Sequence, residues 1–269
     1  MSRFFLWTIS FPFLSRWYGS LVRREKPRWL ARGMVGLFAR RYRISMDDFA
    51  GDIEDYPTLA AFFARPLDPA RRPLKEDPGY FLAPADSVLT TCETVREDRA
   101  TQVKGRHYRL SALVGEPFAF PEGWRVAVFY LSPNDYHRFH LPAAATITAA
   151  RRDGGRLYPV NPFSTHRVPD LFVRNERVTL KCRTAGRDWY YVAVGAAFVG
   201  SIETAAGGIP SAHAWYAVGK DLAQTAEVGR FNMGSTIVIV LPEALAGEPL
   251  VAEGTKVRAG DRLWKDKGA

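Results

Sequence analysis

The chain has 269 residues, 47% hydrophobic and 24% charged, the balance of an ordinary globular protein with enough length for one large domain or two small ones. Its two cysteines, Cys92 and Cys182, match no metal or redox spacing and read as plain thiols of a reducing compartment, ahead of a single disulfide. The net charge of +9 lies wholly in residues 1–45, where ten Lys/Arg face the single acid Glu25, so the rest of the chain is neutral.

The same N-terminal segment is rich in large apolar groups, among them Phe4, Phe5, Leu6, Trp7, Phe11, Phe13, Trp17 and Tyr18. The run from Phe4 to Leu14 is shorter than the roughly 20 apolar residues that a bilayer span needs. No small-residue cleavage site follows it, and Arg16 comes too soon for a signal peptide. Pro27 opens a second helix, with Leu30, Met34, Leu37 and Phe38 on one face and Arg28, Arg32 and Arg43 on the other. Residues 1–50 are therefore expected to lie in an anionic membrane interface without crossing it. A helical hairpin packed on the body is the bland alternative. A nucleic-acid arm is disfavoured by so many Phe and Leu side chains.

Asp47, Asp48 and Asp52 close the basic segment and set a boundary near residues 46–55, with a body from 51 to 269. Thr58–Arg65 reads as a short helix stopped by Pro66, and residues 67–80 as a connecting loop. Strands are predicted at Ser87–Val95, Arg125–Leu131, Ala145–Arg151, Arg177–Cys182, Tyr190–Ala197, Ser201–Thr204 and Thr236–Leu241. No regular long helices separate them. The expected fold is α+β and β-rich: a mostly antiparallel, barrel- or sandwich-like body behind N-terminal amphipathic helices. Gly254–Leu263 reads as a hairpin and looks like the turn of lipoyl and biotinyl domains, without a lysine at its tip to carry the group.

Leu131-Ser132-Pro133-Asn134-Asp135-Tyr136-His137-Arg138-Phe139-His140-Leu141-Pro142 is the densest stretch of reactive groups. Ser132 as N-cap and Pro133 at the first helical position predict one helical turn, which would turn His137 and His140 to the same side. Zinc ligation would need further ligands that the chain does not offer. Two structural histidines, or an acid–base pair titrating near neutrality, fit the spacing equally well. Asp86, in Ala83-Pro84-Ala85-Asp86-Ser87, could orient an imidazole or merely cap a strand. Gly234-Ser235-Thr236 precedes the buried run Ile237–Val240. It reads either as a turn into a strand or as a serine hydroxyl beside an approachable carbonyl.

Taken together these pieces resemble the phosphatidylserine decarboxylases in their bacterial membrane-associated form. The matching residues are Pro84-Ala85-Asp86, Leu131-Ser132-Pro133 through His140-Leu141-Pro142, Tyr158-Pro159-Val160-Asn161-Pro162, Leu171-Phe172 and Arg174-Asn175-Glu176-Arg177. The run continues through Val194-Gly195-Ala196, Val199-Gly200-Ser201-Ile202-Glu203 and Gly229-Arg230-Phe231 to Gly234-Ser235-Thr236, covering roughly residues 30–265 in family order.

The resemblance implies a proenzyme cleaved between Gly234 and Ser235 into a beta chain, 1–234, and an alpha chain, 235–269. His140, oriented by Asp86, would take the Ser235 proton, and the Ser235 oxygen would attack the Gly234 carbonyl. Ser235 would end as a pyruvoyl group, the only cofactor expected, with no metal and no PLP. That group would form a Schiff base with the serine amine of phosphatidylserine and act as electron sink for loss of CO2. His137 would protonate the resulting carbanion. The implied partners are phosphatidylserine, an anionic membrane surface on the cytoplasmic side of the cell membrane, and the two chains of one precursor; nucleic acid is not among them and a homodimer is left open. Met233 stands where the family usually has Leu or Gly, a change an adaptable apolar side chain tolerates. His166 stands where no histidine is expected. It joins Tyr130 and Phe163 as a candidate substrate contact, against a favoured reading in which it does nothing. A serine hydrolase built on Ser235, His140 and Asp86, a non-catalytic membrane-binding module, and a pyruvoyl enzyme for a soluble amino acid are the competing readings.

Overall fold

The structure is a computed structural model that describes residues 22–25, 27–103, 105–196, 202–231 and 235–267. The aromatic run Phe4–Leu14 and Gly234 lie outside the described residues. The strands in chain order are β1 (Tyr80–Leu82), β2 (Ser87–Thr94), β3 (Arg99–Val103), β4 (Arg106–Arg109), β5 (Arg125–Leu131), β6 (Arg138–His140), β7 (Ala145–Asp153) and β8 (Arg177–Thr184). They continue with β9 (Arg187–Gly195), β10 (Ile202–Thr204), β11 (Trp215–Leu222), β12 (Glu227–Phe231), β13 (Ser235–Leu241), β14 (Ala246–Pro249), β15 (Lys256–Val257) and β16 (Arg262–Asp266).

The β-branched sequence of β13 explains its place at the middle of the molecule. All seven of its residues are buried. It pairs antiparallel with β5 on one side and β9 on the other, in an eight-stranded sheet ordered β11-β7-β8-β9-β13-β5-β2-β15. Side chains alternate across a strand, so each face feeds a separate core. Val238 and Val240 join Val126, Val128, Val192 and Val194 on one face, while Ile237, Ile239 and Leu241 join Ala127, Phe129, Tyr191 and Ala193 on the other. Each such side chain contributes about 1.5–3 kcal/mol by leaving water. The sheet ends at β11 and β15 without closing, so the antiparallel body is sandwich-like and not a barrel.

A smaller sheet ordered β10-β12-β6 and another ordered β1-β16-β14 complete the body. The predicted 254–263 hairpin is not one: β15 pairs with β2, whereas β16 pairs with β1 and β14. Asp261 closes the tight turn between them through its backbone N–H to Arg258 O and its carboxylate to the Arg258 N–H. The two strands then diverge into different sheets. Cys92 and Cys182 are free thiols.

Two N-terminal helices sit on the face of Val238 and Val240: α1 (Arg28–Tyr42) and α2 (Leu59–Phe63). Thr58 caps α2 by accepting the Ala61 N–H at 3.0 Å. In α1 the face turned to the protein is Ala31, Val35 and Ala39, flanked by Met34 and Phe38. The predicted stripe of Leu30, Met34, Leu37 and Phe38 is therefore split. Small residues allow close approach to the body with Met34 and Phe38 packed at its edge, while Leu30 and Leu37 face outward with Trp29, which is 74% exposed against 71% for Leu37. Among the described residues no helix is long and apolar enough to cross a membrane.

Candidate active site

One end of the large sheet collects the candidate groups. Ser235 opens β13 and pairs with Leu131, the last residue of β5, and with Gly195, the last of β9. One position further in, Thr236 pairs with Tyr130, Tyr130 with Val88, and Val88 with Lys256. Asp86 precedes β2, and the stretch 132–140 leaves β5, at this same end. Neighbouring strands are roughly 4.8 Å apart, so the whole row from β13 to β15 spans about 14 Å. Asn175 pins the Gly195 corner: its Nδ2 donates to Tyr158 O and Gly195 O, both at 2.8 Å, and its Oδ1 accepts from Tyr158 N–H.

The predicted helical turn at 132–140 is replaced by a tight turn and a strand. Asp135 donates its N–H to Ser132 O and accepts the Ser132 N–H on its carboxylate at 2.8 Å, which closes one turn. The chain then enters β6, where His140 pairs with Glu227 and Phe139 with Gly229 of β12. Sheet pairing supplies partners for these backbone groups that a four-residue helix would leave unmet. The two histidines consequently do not share a helical face.

Each imidazole is fixed by a backbone carbonyl. His137 Nδ1 lies 2.8 Å from Asp135 O, and His140 Nδ1 lies 2.8 Å from Thr225 O. A carbonyl oxygen only accepts, so both rings carry hydrogen on Nδ1 and, when neutral, a lone pair on Nε2. The His140 lone pair takes the Tyr136 hydroxyl at 2.9 Å, with the two rings stacked. His137 Nε2 is buried with no hydrogen-bond partner among the described residues, and so is Ser235 Oγ. The Phe63 ring lies 3.9 Å from that of His137, and the His137 carbonyl accepts the Phe231 N–H at 3.0 Å.

Asp86 lies beside His140, whose backbone N–H donates to Pro84 O at 2.8 Å. Its carboxylate nevertheless turns to Arg72, which grips it with two bonds of 2.8 and 2.6 Å, and to the Ala259 N–H at 2.9 Å. Asp86, His140 and Ser235 thus share one end of the sheet, and no hydrogen bond joins them here. Arg72 and Thr225 escape sequence reading because their partners lie 14 and 85 positions away, and Tyr136 because the expected helical turn gives no reason for its hydroxyl to meet His140 four residues on. Of the candidate substrate contacts, Tyr130 is half-buried next to Val88, Phe163 carries the Arg167 guanidinium 3.6 Å from its ring, and exposed His166 donates from Nδ1 to Pro162 O of its own turn. A polar cavity of about 300 Å³ opens by Asp86, Asp135 and Tyr136, with Arg43, Lys256 and Arg258 on its wall. Among the described residues no group of three or more His, Cys, Asp or Glu gathers to hold a metal ion.

Burial holds both histidines neutral. It pushes His137 down to about 3, against a weaker opposing pull from the bond to Asp135 O, and it also lowers His140. The unfolded chain takes up these protons near 6.5, so stability is full above that pH and is lost as pH falls toward the folded values. Each proton taken up only on unfolding steepens the loss by about 1.4 kcal/mol per pH unit. Asp135, raised by burial, acts with the opposite sign and nearer its ordinary 3.8. Urea midpoints measured from pH 8 to 5 should fall below about pH 6.5, and His137→Gln should flatten that fall; a level wild-type profile would contradict the buried neutral pair.

The match to known proteins covers this whole region. A family model described as phosphatidylserine decarboxylase matches residues 59–265. The chain is 36% identical over 269 residues to the phosphatidylserine decarboxylase proenzyme of Marinobacter nauticus, covering 94% of this chain and 93% of that one. It is 37% identical over 270 residues to that of Halorhodospira halophila, with coverage of 96% and 91%, and 38% identical over 241 residues to that of Bordetella avium, with coverage of 84% and 81%. The chain belongs to the phosphatidylserine decarboxylase family of enzymes.

Proposed function

We propose that the chain cuts itself between Gly234 and Ser235, converts Ser235 to a pyruvoyl group, and then decarboxylates phosphatidylserine to phosphatidylethanolamine at a membrane surface. The observation that carries this reading is a pair of orphans. Ser235 Oγ and His137 Nε2 are both buried and both without a partner among the described residues, by the same end of the large sheet. Burying a polar atom without a partner costs about 1–3 kcal/mol; other buried side chains, Thr236 and Tyr191 among them, bear the same cost, and what sets these two apart is that one is a nucleophile and the other a base.

In this reading His140 accepts the Ser235 proton. Its Nδ1–H is already held by the Thr225 carbonyl, so its Nε2 is the basic nitrogen. The step requires two movements: Tyr136 gives up the Nε2 lone pair to the Ser235 hydroxyl, and Asp86 leaves Arg72 to replace Thr225 O at the His140 Nδ1–H. The Ser235 Oγ bonds to the Gly234 carbonyl carbon as the Ser235 nitrogen leaves, giving an ester. β-Elimination of that ester frees residues 1–234 as a carboxylate and leaves a dehydroalanine, whose imine form takes up water and loses ammonia to leave the pyruvoyl at position 235. Once made, that carbonyl is an electron sink for loss of CO2 from an amine held against it. His137, neutral and without a partner at Nε2 among the described residues, takes a proton from the substrate's ammonium as the amine is engaged and delivers it to the carbanion left by CO2. β13 stays hydrogen-bonded on both sides to β5 and β9, so cutting its N-terminal bond leaves residue 235 in place. Tyr130, one row from Ser235 in the sheet, is the nearest of the proposed substrate contacts, ahead of Phe163 and His166.

Residues 1–50 supply the membrane contact. The outer side of α1 presents Trp29 and Leu37 with Arg28, Arg32, Arg40 and Arg41, all exposed, which suits insertion of apolar groups among anionic headgroups. Peripheral binding on the cytoplasmic face follows, where Cys92 and Cys182 remain thiols. Vesicles of phosphatidylserine labelled in the serine carboxyl should release labelled CO2 with wild-type protein. No release, or release from free serine at the same rate, would overturn the proposal.

A further inference from the structure

A cation without a carboxylate lies directly beneath the His137 loop. Arg65 follows α2 and is 0% exposed. Its Nη1 donates to Phe62 O at 3.3 Å, and its Nη2 donates to Asn134 O at 3.1 Å and Asp135 O at 3.4 Å. The guanidinium lies 4.1 Å from the Phe49 ring and 5.3 Å from that of Phe62, and its Nε is buried without a partner. Among the described residues it makes no ion pair. A buried guanidinium hydrogen-bonded to carbonyls alone, with Asp86 and Asp135 acting on it only through space, is expensive, and a neutral amide could tie the same loop at lower cost. The charge itself therefore asks for a reason.

The Asp135 carbonyl connects Arg65 to the site. That one oxygen accepts from both Arg65 Nη2 and His137 Nδ1–H. The Asn134 carbonyl, held by the same Nη2, fixes the preceding peptide plane. Arg65 thus shares with the Ser132–Asp135 turn the holding of the acceptor that selects the His137 tautomer. The positive charge also opposes a second proton on the ring, in the same direction as burial, where apolar walls screen it little.

We propose that Arg65 is a positioning residue of the decarboxylation: by holding the Asp135 carbonyl it keeps His137 as the Nδ1–H tautomer with Nε2 bare for the substrate's proton. This rests on the reading of His137 as the group that handles that proton. Self-cleavage, which uses His140, does not need it.

The test uses self-processed full-length protein labelled with ¹⁵N-histidine, as wild type, Arg65→Met and Arg65→Lys, with His137→Gln to assign the ring signals. Wild type should show His137 as a single neutral Nδ1–H form. Arg65→Met should show a mixture of tautomers or the Nε2–H form, should still release the 35-residue chain, and should lose kcat for phosphatidylserine about tenfold or more with KM changed less than about threefold. Arg65→Lys, which keeps a charge and donors, should recover the tautomer and most of kcat. An unchanged His137 signal in Arg65→Met overturns the proposal, as does equal loss of cleavage and decarboxylation. If Arg65→Met does not fold, a lysine variant with mixed tautomers overturns it on its own. The ring signals need no turnover, so a wild type that released no CO2 would defeat the decarboxylase reading while leaving this test intact.

Discussion

Ser235→Ala is expected to stay a single chain of 30.2 kDa with no decarboxylase activity. Wild type should separate on a denaturing gel into a large chain and one of about 3.9 kDa, the 35/269 share of that mass, and the small chain should resist Edman degradation. The substitution deletes only a hydroxyl that has no hydrogen-bond partner among the described residues. Removing an unpaired buried hydroxyl relieves a desolvation cost and leaves only a very small void. The variant's thermal midpoint should therefore equal or exceed that of uncut wild type, so loss of cleavage could not be blamed on unfolding. A serine hydrolase at the same residue makes the opposite forecast: an intact wild-type chain whose Ser235 reacts with a fluorophosphonate. An active wild type of intact mass would sink the self-cleavage proposal.

How much of this was legible in the chain follows from burial. β5 and β13 could be read nearly to their ends, and β9 to within a few residues, because strands covered on both faces become continuous β-branched or apolar runs. β11 and β12 were not legible. β11 is an edge strand exposed along much of its length, and β12 carries Glu227, Gly229 and Arg230. At Gly229 an added Cβ would collide with Glu203 O, so the glycine marks the close approach of β10 and not a loop. β6 was misread as helix because Ser132 and Pro133 carry helix-start chemistry, while the pairing that decides the matter comes from residues some 90 positions later.

At the site the reactive side chains were legible and their partners were not. A carbonyl such as Thr225 O has no sequence signature, yet it sets the His140 tautomer across 85 positions. Arg72 stood in a charged stretch that read as loop, although its guanidinium closes on Asp86 with two bonds. Arg65 looked like an ordinary cation ending a short helix. Only the fold reveals that Phe49, Phe62 and the His137 loop enclose it. Chemistry carried by side chains is written in the sequence, whereas chemistry carried by the backbone that orients them emerges from long-range pairing.

The two histidines should separate the two reactions. His140→Ala is expected to slow self-cleavage by about 10²–10⁴-fold, the usual contribution of a positioned general base. The ring's Nδ1–H is committed to Thr225 O, so no neighbour on that side can stand in for the missing lone pair. His137→Ala should cut at a normal rate, judged by the 35-residue chain, and then fail to release CO2 from phosphatidylserine by a similar factor. The structural contrast behind this forecast is in the second nitrogens: His140 Nε2 already takes a hydroxyl proton from Tyr136, while His137 Nε2 is buried and empty-handed, fit for a partner that arrives with the substrate. An anionic headgroup beside His137 would raise its affinity for a proton from the low value that burial imposes, so protonation and substrate binding would be coupled at this ring. Loss of cleavage in His137→Ala with normal cleavage in His140→Ala would mean that the roles are exchanged. In that case the orphaned Ser235 Oγ and His137 Nε2 would be the reacting pair, and Tyr136 would be holding His140 for the later proton.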